Sequence, residues 1–235
     1  MNDTLSTALA LIPALVFAIV FHEVAHGFVA RLLGDPTASE QRRLSLNPLR
    51  HVDPIGTVIL PGILALSGAP VFGWAKPVPV NKWRLRNPRY GMMAVAAAGP
   101  GSNLILAGVA AVALGLIAHG YSGPPPSGAL GLAVASLQFF IMINIFLALF
   151  NLLPIPPFDG SHIVEGLLPR RLARAYASVR RLGFALVLVL LIVLPTLVKG
   201  FDPVGALIGA PVDWLTGHYF GLAQWIAGGS RQPVG

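Results

Sequence analysis

The chain has 235 residues, of which 55% are hydrophobic and only 11% charged, whereas a water-soluble domain carries roughly 25% charged residues. Its net charge of +7 would suit nucleic acid, but the basic residues gather between apolar runs, at Arg31–Arg50, Lys76–Arg89 and Arg170–Arg181. No aromatic-basic module accompanies them, so nucleic acid is excluded as a partner. The absence of cysteine excludes disulfides and thiolate metal sites, leaving histidine and carboxylate as the ligands for any transition metal.

Leu5–Phe21 is an uncharged run, and helix is expected to continue through His22–Leu33 until Gly34-Asp35-Pro36 stops it. The run lacks the basic start of a signal peptide, Asp3 being its only charge, and reads as a retained transmembrane helix. Ile55–Phe72 is apolar but interrupted by Pro61, Gly62, Gly68 and Pro70. Tyr90–His119 is long enough to span, with a break expected at Gly99-Pro100-Gly101. Leu130–Leu153 and Arg180–Val198 are further expected spans, and Pro203–Ala227 is apolar but broken by Gly and Pro. The fold class predicted is an all-α polytopic helix bundle: one membrane-embedded domain over 1–235, with its core at 5–165 and peripheral helices at 180–228. The lipid bilayer is its first partner.

His22-Glu23-Val24-Ala25-His26 matches HExxH. Residues four apart share a helix face, so both imidazoles can grip one metal while Glu23 reaches an adjacent water. Such groups near the end of an apolar span are functional candidates, because they are costly in lipid. A hydrolytic zinc takes three protein ligands, and the nine Asp and Glu residues make a short search for the third. Asp159 stands out in Asn151-Leu-Leu-Pro-Ile-Pro-Pro-Phe-Asp159-Gly160, just after a strong span. Taken alone, an aspartate in such a turn faces water more often than it binds a metal.

HExxH on a first transmembrane helix, with NxxPxxxxDG after a later one, resembles the site-2 protease family of intramembrane zinc metalloproteases. Leu46-Asn47-Pro48, Gly73–Asn81 and Gly99-Pro100-Gly101-Ser102-Asn103 resemble the same family's compact members. The resemblance covers about Ala18 to Gly160. It implies one Zn2+ held by His22, His26 and Asp159, Glu23 as catalytic base, and transmembrane proteins as substrates. No PDZ or CBS module fits in the remainder. Asn103 and Asn151, also at family motif positions, are candidate oxyanion donors, or equally partners for freed backbone carbonyls.

The ligands can meet only if the first helix and Leu130–Leu153 run parallel, with one span between them. Tyr90–His119 supplies that span, so Ile55–Phe72 is expected to be re-entrant or extended, which also keeps Lys76–Arg89 on the inner side with the other basic loops. The expected setting is a multi-pass protein of a bacterial or archaeal cell membrane, its active site toward the cytoplasm. Ala75–Val80, with Pro77 and Pro79, reads as an edge strand able to clamp an unwound peptide. His51 and Asp53 suit a loop, His162 is a rival ligand, and His119 and His218 inform little. The rival functions are a membrane metal transporter and a protease-like protein that binds without cleaving. Substrate identity, trigger and oligomeric state are not legible.

Overall fold

The computed structural model describes residues 3–67, 73–179, 182–198 and 202–229. Helix α1 (Asp3–Leu32) is apolar on all faces down to the histidines. It ends where Gly34 takes a φ of +107°; the Gly34 and Asp35 N–H groups then cap the Arg31 and Ala30 carbonyls at 3.1 and 2.9 Å. The chain turns through the short α2 (Thr37–Glu40), led by fully buried Asp35. Asp35 accepts hydrogen bonds from the Thr37 N–H (3.1 Å), the Thr37 hydroxyl and the Asn81 N–H (2.5 Å). Burial works against its ionisation, but these bonds outweigh it and hold the carboxyl below its ordinary value. The stabilisation it brings is therefore present at neutral pH and is lost only as the pH falls below the ordinary carboxylate range.

Asp53 caps a π-helical turn, Pro54–Ile59, through the Ile55 and Gly56 N–H groups, and α3 (Leu60–Ser67) follows. These pieces of six and eight residues reach about 21 Å at 1.5 Å per residue, short of the ~30 Å hydrocarbon core. Residues 68–72, the end of the expected apolar stretch, lie outside the described residues. By Trp74 the chain is back where it left: the Trp74 N–H donates to Gly56 O (3.1 Å), and the Thr57 hydroxyl donates to Trp74 O (2.9 Å). An extended segment, 73–81, leads on toward α4 (Pro88–Gly120), whose first amides are capped by Asn87 and whose first residue is a proline.

The break expected at Gly99-Pro100-Gly101 does not occur. Helix α4 continues through Pro100, which is buried; a membrane helix tolerates proline where neighbouring helices cover the freed backbone group. Next come α5 (Gly128–Asn151), α6 (Asp159–Leu167) and the arginine-bearing α7 (Arg170–Val179). The span expected over Arg180–Val198 is helical over most of its described part, with one irregular turn. Arg180 and Arg181 lie outside the described residues, and the helix beyond them is α8 (Gly183–Leu188), a π turn (Val189–Val193) and α9 (Leu194–Leu197). Pro195 has no N–H to give to the ladder, and the widened turn precedes it. Helix α10 (Pro203–Ile226) closes the described chain.

Among the described residues three helices are long and apolar enough to cross a membrane: Thr4–Leu32, Pro88–Gly120 and Gly128–Asn151. Helices α1, α4 and α5 pack on one another, α6 lies on α4, and α10 covers α4 and α5. Their largest core sets Ala107, Ala110, Ala111 and Leu114 of α4 against Ile141 and Ile145 of α5 and Ala223 of α10. Small residues on α4 let these helices approach closely, as lipid-facing bundles require. No strand occurs among the described residues, and the fold is all-α.

Candidate metal centre

His22 and His26 stand one turn apart on α1 and face Asp159, the first residue of α6. Their Nε2 atoms are 3.0 Å apart, and Asp159 Oδ2 lies 3.1 Å from His22 Nε2 and 3.3 Å from His26 Nε2. Asp159 reaches this position because the chain after α5 folds back tightly. A Cβ on Gly160 would lie 2.2 Å from Leu152 O and 2.5 Å from Leu153 O, so no other residue fits the start of α6 against the end of α5.

The hydrogen bonds behind the cluster decide what it can hold. His26 Nδ1 donates to Val95 O at 2.7 Å, since a carbonyl can only accept. Asn103, fully buried on α4, spends both amide hydrogens, on Ala18 O (3.2 Å) and Asn144 Oδ1 (2.7 Å). Its Oδ1 therefore accepts, and His22 Nδ1 is the donor at 2.6 Å. In the neutral imidazoles, whose single proton then lies on Nδ1, both Nε2 atoms turn lone pairs toward each other and toward Asp159 Oδ2, an atom that is buried without a hydrogen bond. Three converging lone pairs repel unless a cation lies among them. Ligands at about 2.0–2.1 Å from a tetrahedral zinc stand roughly 3.4 Å apart, and this triangle is close to that size. Donor set, spacing and orienting hydrogen bonds all fit zinc.

The sequence-predicted residues divide at this point. His22, His26 and Asp159 form the only cluster of three potential ligands among the described residues, and His162 is not part of it. Glu23 Oε2 accepts from the Val78 N–H at 2.7 Å. Asn103 has no amide hydrogen left for an oxyanion and instead orients His22. Asn151 Nδ2 bonds Leu147 O of its own helix at 2.9 Å. His51 bonds Ser45 O (2.8 Å) inside the loop. Ala75–Val80 is extended but pairs with no strand among the described residues. Pro77 and Pro79 lack the N–H a ladder needs, and the N–H groups of Lys76 and Val78 go to His51 O and Glu23.

Two contributors are given no role at the site by the sequence, although Gly99 stands in one of the family-like motifs. Asn144 is fully buried on α5; its carbonyl accepts from Asn103 and its amide donates to Phe140 O. Its signal in the sequence is an amide inside an apolar span, one it shares with Gln138 and Asn151. Gly99 is where α4 meets the imidazoles. A Cβ there would come within 2.5 Å of His26 Cε1 and 2.6 Å of His22 Cε1 and Nε2.

The model of peptidase family M50 matches residues 116–194, the stretch that carries Asp159. Over 202 residues the chain is 41% identical to a Bacillus subtilis protein named as a zinc metalloprotease, YwhC, covering 82% of this chain and 86% of that one. The chain belongs to peptidase family M50. Other relatives carry the name zinc metalloprotease Rip2: one in Mycolicibacterium smegmatis (33% identical, 75% of this chain and 64% of that one) and one in Mycobacterium tuberculosis (31%, 89% and 69%). No solved structure matches the chain.

The orienting role of Asn103 is measurable. Asn103→Ala leaves the His22 Nδ1–H without its acceptor and is expected to weaken zinc affinity about 10- to 100-fold, read by competition with a chelator of known affinity. An unchanged affinity would mean that the imidazole is held by other contacts.

Proposed function

We propose that this chain is a zinc metalloendopeptidase of the site-2 type, hydrolysing peptide bonds within or next to the transmembrane segments of membrane proteins. Family and donor set make it a membrane zinc metalloprotease. One observation carries the finer reading: the cluster sits on an apolar helix of spanning length, with His22 buried and Asn103 and Asn144 fully enclosed behind it. Polar groups at that position are expensive in lipid and mark the place of the chemistry. A transporter would spread them along several helices as a pathway, whereas here they meet at one point.

Zinc, when held there, supplies Lewis acidity toward water and the scissile carbonyl. The remaining work belongs to side chains. Asn103 and Val95 O fix the tautomer and orientation of the two imidazoles. Glu23 takes a proton from the attacking water and returns it to the leaving amine, work typically worth 10²–10⁴-fold in rate. Asn151 keeps one amide hydrogen beyond its bond to Leu147 and is the remaining side-chain candidate for the oxyanion.

The test is cleavage of single-span proteins by the purified enzyme in bilayers, with the cut site mapped by mass spectrometry. Cuts inside or at the edge of the span are expected, abolished by a chelator and restored by zinc. Cuts confined to water-exposed loops, or insensitive to chelator, overturn the reading.

The active site is further proposed to face the cytoplasm, with 55–72 re-entrant. The return of the chain to Gly56 at Trp74 supports this, as does the basic character of Lys76–Arg89. Because the chain has no cysteine, single cysteines placed at 82–87 report cleanly. They are expected to label from the cytoplasmic face of oriented vesicles; labelling from outside would reverse the topology.

A further inference from the structure

Glu23 has a partner outside the metal cluster. Its Oε2 accepts from the backbone N–H of Val78, which lies 55 positions along the chain, at 2.7 Å. Val78 belongs to the extended segment 73–81, and that segment is fastened on both sides. Before Val78, the Lys76 N–H donates to His51 O (2.8 Å) and Arg43 Nη2 donates to Lys76 O (2.8 Å). Beyond it, the Asn81 N–H donates to buried Asp35 (2.5 Å). Pro77 and Pro79 fix the backbone on either side and carry no N–H, so Val78 supplies the sole donor of the three residues. The Val78 side chain is buried against α1 where Gly27 leaves room; a Cβ at Gly27 would be 2.6 Å from Val78 Cγ1. The donor is therefore rigid, set one turn from Glu23 by packing rather than by chance approach.

We infer that the Val78 backbone amide is the positioning group of the catalytic base. It holds Oε2 and leaves Oε1 to take the proton from water and pass it to the leaving amine. The Val78 proton itself is not transferred. This rests on the assignment of Glu23 as base under the proposed function. A charge-assisted bond from a rigid backbone donor removes the rotation that a glutamate side chain otherwise has, and a base held in reach of its proton acts faster than one that must find it.

The direct experiment replaces the Pro77–Val78 peptide bond by an ester in the full-length protein, which deletes the Val78 N–H and weakens the Pro77 carbonyl as an acceptor for Arg43 (3.3 Å). We expect kcat to fall at least tenfold, with KM and zinc content within about twofold of the unmodified enzyme. The equivalent ester at Ala75–Lys76 removes an anchor of the same segment but not the partner of Glu23, and is expected to keep kcat within about threefold. An unchanged or increased kcat in the Val78 ester overturns the inference, and so does an equal loss in both esters. A second measurement needs neither zinc nor cleavage. Pro77 and Pro79 have no amide hydrogen, so exchange of the Val78 amide can be read apart from its neighbours. In metal-free protein it should be protected, exposed in Glu23→Ala, and protected again in Glu23→Gln, whose carbonyl oxygen still accepts. Unaltered protection in Glu23→Ala overturns the contact. Absence of any proteolysis alongside the expected exchange pattern would instead count against the proposed function.

Discussion

Replacing Gly99 by alanine is expected to strip the protein of zinc and of activity together. The added Cβ would sit 2.5–2.6 Å from atoms of both imidazoles, where carbon contacts normally settle at about 3.5–4.0 Å. Neither ring can swing aside, because His22 is tied to Asn103 and His26 to Val95 O, and both anchors belong to α4, as Gly99 does. The overlap is relieved only by moving α4 away from α1 or by twisting the rings out of their common focus. Zinc content is expected to fall below about a tenth of one equivalent and cleavage by about a hundredfold or more. Gly101→Ala is the matched control. It lies on the same helix with open space around its Cβ position, so the better helix propensity of alanine acts alone, worth up to about 1 kcal/mol of stabilisation. Zinc analysis and circular dichroism on the two variants separate the steric effect from a general effect on α4. A Gly99→Ala protein that retained zinc and wild-type cleavage would mean that α4 does not approach the imidazoles this closely.

The histidine pair is legible in the sequence because its geometry is local. Four-residue spacing on one helix presents two imidazoles together whatever the rest of the chain does, whereas Asp159, far along the chain, is singled out as a ligand by the family resemblance and not by its turn alone. A parallel α1 and α5 is what counting spans leads one to expect, and the re-entrant course proposed for 55–72 is the consequence of that count. The supporting shell is less legible. Asn103 sits in a recognisable motif, yet its use as an acceptor for His22 depends on Asn144, a residue 41 positions further on. Pro100 suggests a broken helix, but a neighbouring helix, not the local sequence, decides whether a buried proline interrupts one. Extended backbone at 75–80 is readable from its prolines. Its pairing is not, because a backbone N–H leaves no mark in the sequence, and here the acceptor is a side chain on α1.

The same arrangement shows how polar groups are kept inside an apolar bundle. His22, Asn103, Asn144 and the Phe140 carbonyl form a chain across α1, α4 and α5 in which each donor has an acceptor. An unmet donor at this depth costs several kcal/mol in a low-dielectric interior, about 2–7 by transfer measurements. The chain of amides thereby holds the three helices in register while it holds His22 in one tautomer. The stability of the bundle and the preparation of the metal ligands are carried by the same bonds.

Glu23→Gln tests the chemistry with the least disturbance to that arrangement. The amide is close to isosteric, and its carbonyl oxygen still accepts from the Val78 N–H, so the side chain is expected to stay in place. His22, His26 and Asp159 are untouched, so zinc should remain near one equivalent. What is lost is basicity: an amide cannot take a proton from water near neutral pH or return one to an amine. A fall in kcat of about 10²–10⁴-fold is expected, with little change in KM. Glu23→Asp makes the complementary point. It keeps the charge but shortens the arm by one methylene, so it cannot meet the Val78 amide and the attacking water at once; it should fall between wild type and Glu23→Gln. If Glu23→Gln bound zinc and cleaved at the wild-type rate, another group would have to be the base. If it lost zinc as well as activity, Glu23 would belong to the structure of the site rather than to the proton transfer.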